Sequence, residues 1–115
     1  MLRGEIRLVD LEPVRGVDAN KRRPAIVVSN DGALASASQL GRGVVTVVPV
    51  TSTIQRIYPF QVLLPAVATG LRDDSKAQAE QVRSVAVQRL GPRVGSVPPG
   101  IMAELDEALR LHLAL

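Results

Sequence analysis

Residues 44–50, VVTVVPV, are the strongest strand-forming stretch of this 115-residue chain, and they decide how the rest is interpreted. Valine and threonine dominate the stretch, and such β-branched residues favour strands. Gly41-Arg42-Gly43 interrupts the chain just before it. Pro49 cannot donate to a β ladder, so we expect that end of the strand at a sheet edge or at a bulge.

Five further stretches outside this strand are predicted to be short strands. They are residues 5–11 (EIRLVDL), 24–29 (PAIVVS), 60–64 (FQVLL), 81–87 (QVRSVAV) and a piece around Arg93-Val94. Turn-forming residues separate them, which predicts a turn at residues 30–32, loops at residues 12–21 and 66–74, and one helical turn within 33–40.

The tail, residues 98–115, is the one clear helix in the sequence. Pro98 and Pro99 suit a first helical turn. One apolar stripe recurs at spacings of three and four, and it consists of Ile101, Leu105, Ala108, Leu109 and His112, the last in a structural role. Short strands followed by one helix predict a mainly β single domain over residues 1–115, a curled sheet or partly open barrel with short helices.

Composition excludes several classes of protein. The chain is 46% hydrophobic and 22% charged, as globular proteins are, and it has no run of about 20 apolar residues that could span a membrane. Without cysteine it has no disulfide, thiolate metal site or cysteine nucleophile, and we expect a cytoplasmic protein. The net charge of +3 is weak evidence for nucleic-acid binding, although many of the cations lie near predicted turns.

Three segments together resemble the MazF/PemK family of toxin endoribonucleases. Residues 3–31 (RGEIRLVDLEPVRGVDANKRRPAIVVSND) are similar to its first hairpin, and residues 47–64 (VVPVTSTIQRIYPFQVLL) to its "V-P-x-T" strand end and the strand after it. Residues 79–90 (AEQVRSVAVQRL) are similar to its "(D/E)-Q-x-(R/K)-(S/T)-I" strand. The order and spacing of the three are more specific than any one alone.

The resemblance implies a small SH3-like barrel shared with CcdB, a homodimer, and an antitoxin of the MazE kind whose acidic tail fills the RNA groove. It implies cleavage of single-stranded messenger RNA without metal or cofactor. Carried over residue by residue, it assigns catalysis to Arg23, Thr51 and Glu80. The expected RNA-binding residues are Asp18, Asn20, Lys21, Arg22, Ser52, Arg56, Tyr58, Gln78, Gln81 and Arg83.

Two positions depart from the family pattern. Val17 stands where many members carry a serine or histidine, and Gln78 stands where one plasmid-encoded member has an arginine. We therefore expect the base preference of this chain to differ from theirs.

These residue types suit RNA cleavage, because RNA carries its own nucleophile, the 2′-OH. Arg23 offers a planar fork of donors for the phosphorane, and Thr51 adds a hydroxyl. Arginine is a reluctant base, so Glu80 is a candidate to orient Arg23 or accept the proton, and a surface carboxylate paired with Arg83 is the alternative. Tyr58 is expected in a loop, where it could stack on a base, and Phe60 in the core.

Two other functions fit the same fold. A CcdB-like poison would bind gyrase and cut nothing, and an SH3-like module would bind RNA or peptide without catalysis. The pair Arg23 and Thr51 favours cleavage, since a gyrase binder has no need of a phosphate clamp. With two aromatic residues, the chain has little from which to build an aromatic binding groove.

Overall fold

A computed structural model describes residues 1–11 and 22–115, where seven strands and three helices account for most of the chain. The strands are β1 (Glu5–Val9), β2 (Arg23–Val27), β3 (Val44–Thr51), β4 (Gln61–Leu64), β5 (Ser75–Gln78), β6 (Arg83–Ala86) and β7 (Leu90–Ser96). The helices are α1 (Asp31–Leu40), α2 (Ala66–Thr69) and α3 (Pro99–Leu113). The mainly β prediction with a C-terminal helix is confirmed.

All seven strands form one antiparallel sheet in the order β4-β5-β3-β2-β1-β7, with β6 also paired to β3. Strand β3 is the centre of this arrangement, because β2 lies on one side and β5 and β6 share the other. The pairing with β6 ends at Val47 and the pairing with β5 begins at Val50. Pro49 falls in that gap, so the predicted interruption is present, but it lies in a central strand and not at a sheet edge.

Successive side chains of β2 and β3 point to opposite faces of the sheet, and they divide the core into two clusters. Ile26 and Val48 pack in the cluster beneath α3, where Leu105 is fully buried. Val27 and Val47 pack in the other cluster, beneath α1. Strands with both faces covered are apolar at nearly every position, which explains why residues 24–29 and 44–50 are almost entirely hydrophobic.

Helix α1 is longer than the single turn that the sequence predicted, α2 is an additional helix, and α3 falls within the predicted C-terminal helix. Asn30 caps α1, since its side chain accepts a hydrogen bond from the Ala33 N–H at 2.8 Å, so the predicted turn is in fact a helix start. A short helix, α2, replaces the first part of the predicted 66–74 loop. On α3 the buried residues include Met102, while His112 is exposed and was wrongly placed on the apolar stripe.

Within the described residues, no helix is both long and apolar enough to cross a membrane. The predicted loop at residues 12–21 lies outside the described residues.

Candidate nucleic-acid site

A cleft of about 590 Å³ opens where the ends of β2 and β3 meet the loop after α2. Arg23 is the first residue of β2 and Thr51 the last of β3, and both line this cleft together with Ser52. The register pairs Ala25 with Pro49, and two further steps along both strands bring Arg23 opposite Thr51. The antiparallel pairing therefore brings together two side chains that lie 28 positions apart in the sequence.

The hydroxyl of Thr51 is oriented by its own loop. Its Oγ1 accepts a hydrogen bond from the Thr53 N–H at 3.2 Å. This bond occupies a lone pair and leaves the O–H proton available to donate into the cleft. The cleft is thus lined by one residue with a guanidinium and one with a hydroxyl that is free to donate.

A second cleft, of about 270 Å³, shares Arg23 with the first. Gln78, Gln81 and Arg83 line it, so three of the residues predicted to bind RNA lie on this side of Arg23. Arg23 and Val50 line both clefts. Arg23 therefore lies between the two clefts, where it could contact a ligand in either one.

The first cleft has three polar residues that the sequence analysis did not select. Arg72, Asp73 and Ser75 come from the segment between α2 and the start of β5. Tertiary packing brings this segment to the site, because Gly95 of β7 lies against the end of α2. A Cβ on Gly95 would be 2.5 Å from the carbonyl oxygen of Thr69. No sequence motif predicts the contact between Gly95 and Thr69.

Arg22 lies beside the strand β7 and not in either cleft. Its guanidinium is 2.9 Å from the position that a Cβ on Gly91 would occupy. The missing side chain at Gly91 makes room for this cation.

The loop between β3 and β4, residues 52–60, carries an aromatic and cationic cluster. Tyr58 and Phe60 stack with their ring centroids 5.4 Å apart, and the Arg56 guanidinium carbon lies 4.7 Å from the Tyr58 ring centroid. Tyr58 is in an exposed loop, as predicted. Phe60 is half-buried and stacks on Tyr58, so its predicted place in the hydrophobic core is wrong.

Glu80 is half-buried but lines neither cleft. Its Oε2 accepts a hydrogen bond from Gln61 Nε2 at 2.7 Å. The carboxylate follows β5 in a short 3₁₀ turn, Ala79–Gln81, which directs it toward β4. The structure therefore brings Arg23 and Thr51 together but does not add Glu80 to them, and no ion pair joins Glu80 to Arg83 within the described residues.

Three expected RNA-binding residues, Asp18, Asn20 and Lys21, lie outside the described residues. In the remainder of the chain, no group of three His, Asp or Glu side chains is arranged to hold a metal ion.

Comparison with known proteins decides the family. Residues 2–113 match the family of PemK-like, MazF-like toxins of type II toxin–antitoxin systems. This chain belongs to that family. The match takes in both clefts and all three helices.

Individual family members are similar over nearly their whole length. The chain is 63% identical to "Endoribonuclease MazF9" of Mycobacterium tuberculosis over 115 residues, which are 100% of this chain and 98% of that one. A crystal structure of MazF from Deinococcus radiodurans superposes with a TM-score of 0.77 at 27% identity, covering 100% and 97% of the two chains. An endoribonuclease in complex with its cognate antitoxin, from a mycobacterial species, gives a TM-score of 0.71 at 26% identity, covering 100% and 96%.

Family membership favours one of the functions considered from the sequence. The matches are to toxins named as endoribonucleases and give no support to the gyrase-binding alternative. A phosphate clamp built from Arg23 and Thr51 is consistent with that outcome.

Proposed function

We propose that this protein is the toxin of a type II toxin–antitoxin system and cuts single-stranded RNA without a metal ion. The observation that carries the proposal is the convergence of Arg23 and Thr51 on one cleft in a chain of this family. A relative that is 63% identical to this chain is named an endoribonuclease, which supports the same class of reaction here.

The proposed reaction uses the 2′-OH next to the scissile phosphate. A base takes the 2′ proton, the 2′ oxygen attacks phosphorus, and the bond from phosphorus to the 5′ oxygen breaks. Arg23 donates to the equatorial oxygens of the phosphorane and gives a proton to the departing 5′ oxygen, while Thr51 donates one further hydrogen bond. The products are a 2′,3′-cyclic phosphate and a 5′-hydroxyl. Donors aimed at the developing charge are worth roughly 3–4 kcal/mol each in comparable sites.

The substrate would run through both clefts across Arg23. Cations line each side, Arg72 in the first cleft and Arg83 in the second, and they suit a phosphate backbone. Amide and carboxylate groups at Gln78, Gln81 and Asp73 can donate to or accept from base edges. These groups, with Ser52, would set the sequence preference.

Assembly with two partners belongs to the same proposal. Homodimerisation is supported by exposed leucines in the last turn of α3 and just after it, where Leu111 and Leu115 are 60% and 84% exposed. A cognate antitoxin is supported by the related endoribonuclease solved with one. We propose that its acidic segment competes with RNA for the basic clefts, so that inhibition weakens as salt rises. The proposed compartment is the cytoplasm, where messenger RNA is found.

The function is tested by incubating the purified protein with a defined transcript in excess EDTA. We expect discrete cuts by the wild type and cutting at least about a hundredfold slower by Arg23→Ala. Arg42→Ala is the matched control, because Arg42 is exposed and lies in the turn between α1 and β3, outside both clefts. Intact RNA with the wild type, or cutting by Arg23→Ala at the wild-type rate, would refute the proposal.

A further inference from the structure

The segment around Arg56 and Tyr58 is held in place by side chains that line neither of the two clefts. Lys76 of β5 supplies the first restraint. It is only 8% exposed, and its Nζ donates a hydrogen bond to the Arg56 carbonyl oxygen at 2.7 Å. Lysine is seldom this buried unless its ammonium group is engaged, and among the described residues no carboxylate pairs with it. The ammonium group of Lys76 thus fixes the position of one carbonyl group of the loop.

The Tyr58 ring links the same lysine to the Arg56 side chain. Lys76 Nζ lies 5.9 Å from the ring centroid, and the Arg56 guanidinium carbon lies 4.7 Å from it. A cation near an aromatic face is attracted by the quadrupole of the ring. Arg56 is therefore fixed through its backbone by Lys76 and through its guanidinium by Tyr58.

Gln61 supplies the second restraint. Its side chain is buried, with Oε1 accepting from the Tyr58 N–H at 3.1 Å and Nε2 donating to Glu80 Oε2 at 2.7 Å. The Glu80 carboxylate thereby sets which way the amide points, and the amide holds the backbone of Tyr58. The Gln61 N–H also donates to the Tyr58 carbonyl oxygen at 2.8 Å, which closes the turn.

We propose that Lys76 and the Gln61–Glu80 pair are positioning residues for RNA binding, which hold Arg56 and Tyr58 in a preformed arrangement. Arg56 contacts a phosphate, and the exposed part of Tyr58 contacts a base. A loop that is already ordered loses less conformational freedom when RNA binds, so its contacts contribute more to affinity. This inference rests on the proposed ribonuclease function and gives Glu80 a role away from the reacting atoms.

The loop is adjacent to the site by strand register. Lys76 is paired with Thr51 on β3 and with Leu63 on β4. Lys76, which restrains Arg56, is thus the strand partner of Thr51, a proposed catalytic residue. Arg56 itself follows Thr51 by five residues in the sequence. A substrate strand leaving the first cleft past Ser52 would meet this loop next.

The test compares Lys76→Met, Lys76→Arg, Arg56→Ala and the double variant Lys76→Met/Arg56→Ala on one RNA oligonucleotide containing a mapped cut site. Lys76→Met keeps the length of the side chain and removes the donor, whereas Lys76→Arg keeps a donor. We expect Lys76→Met to raise KM about tenfold, from one lost charged hydrogen bond, and to leave kcat within about twofold. Lys76→Arg should recover most of the loss.

The double variant separates positioning from direct contact. If Lys76 acts through the Arg56 side chain, Lys76→Met should raise KM by less than about twofold in the Arg56→Ala background, because coupled residues are not additive. Multiplicative effects on KM, a fall in kcat alone, or a Lys76→Met enzyme identical to the wild type would each overturn the inference. A wild-type enzyme that cuts no RNA would instead refute the proposed function. Thermal unfolding of each variant identifies any rise in KM that is caused by unfolding of the protein.

Discussion

Arg23 and Thr51 line the same 590 Å³ cleft, each two residues beyond Ala25 and Pro49, the last pair between β2 and β3. Arg23 is paired with Val9 of β1, and it begins a strand that lies between β1 and β3. The backbone beneath the guanidinium is thus fixed by the sheet, while the side chain itself is exposed. An exposed donor on a rigid backbone is suited to bind a phosphate without reorganising.

Replacing Arg23 should affect the chemical step more than binding. We expect Arg23→Ala to lower kcat roughly 10²–10³-fold, as loss of one transition-state donor does elsewhere. Arg23→Lys should recover part of the rate, because an ammonium keeps the charge but loses the planar fork. Single-turnover cleavage of a labelled oligonucleotide measures this directly. A loss confined to KM would place Arg23 in substrate binding alone.

Thr51 offers a matched pair of variants. Thr51→Val has nearly the same shape without the hydroxyl, and we expect a rate loss of about tenfold or more from one hydrogen bond to a charged group. Thr51→Ser keeps the hydroxyl and should remain within a few fold of the wild type. Because Thr51 Oγ1 also accepts from the Thr53 N–H, unfolding by denaturant must be measured alongside. Equal rates for Val and Ser variants would remove Thr51 from the phosphate clamp.

Two variants of Glu80 distinguish a catalytic role from a positioning role. Glu80→Gln keeps an oxygen that can accept from Gln61 Nε2, so we expect its kcat to fall by less than about tenfold, whereas loss of a general base typically costs 10²–10⁴-fold. Glu80→Ala leaves the Gln61 amide without its acceptor, and we expect KM to rise. The pair of variants is assayed by steady-state cleavage. A hundredfold fall in kcat for Glu80→Gln would return Glu80 to the catalytic group.

The two flanking arginines should contribute to the salt dependence of RNA binding. Arg72→Ala and Arg83→Ala each remove one cation from a cleft, and we expect each to reduce the slope of log K against log salt by about 0.7. Binding is measured by anisotropy with an oligonucleotide that carries a 2′-deoxy nucleotide at the cut site. Arg42→Ala serves as the control and should leave the slope unchanged. If all three variants behave alike, the clefts are not the RNA path.

Gly95 tests the packing that places the 70–75 segment. Its Cβ would be 2.5 Å from the Thr69 carbonyl oxygen, so we expect Gly95→Ala to lower the free energy of unfolding by about 1–3 kcal/mol. Gly100 is the matched control, because nothing lies within 4 Å of its Cβ position and it is inside α3. Gly100→Ala should be neutral or stabilising by about 0.5–1 kcal/mol. Urea unfolding of both variants checks this, and equal stabilities would contradict the packing described.

The sequence predicted the strands that are buried on both faces, because β2 and β3 are apolar at nearly every position. It missed β5, whose residues Ser75–Gln78 read SKAQ and show no apolar alternation. That strand exists because β3 and β4 offer backbone partners on both sides, which is a tertiary effect. Local sequence carries no record of such pairing.

The residues of the candidate site likewise fall into those that the sequence could predict and those that it could not. Arg23 and Thr51 could be predicted because strand ends carry them and a family motif marks them. The direction of Glu80 depends on a three-residue 3₁₀ turn after the unrecognised β5, and its bond to Gln61 crosses 19 positions. Arg72 and Asp73 reach the first cleft through the contact between Thr69 and Gly95. Neither arrangement leaves a periodic or compositional signal.

The central claim is that Arg23 and Thr51 act on one phosphodiester that the neighbouring ribose attacks. Its most direct test is single-turnover cleavage, in EDTA, of an RNA oligonucleotide and of the same oligonucleotide with a single 2′-deoxy nucleotide at the mapped cut. We predict a 2′,3′-cyclic phosphate and a 5′-hydroxyl from the first, and binding without cleavage of the second. Cleavage of the 2′-deoxy oligonucleotide, or a 5′-phosphate on the product, would contradict the account.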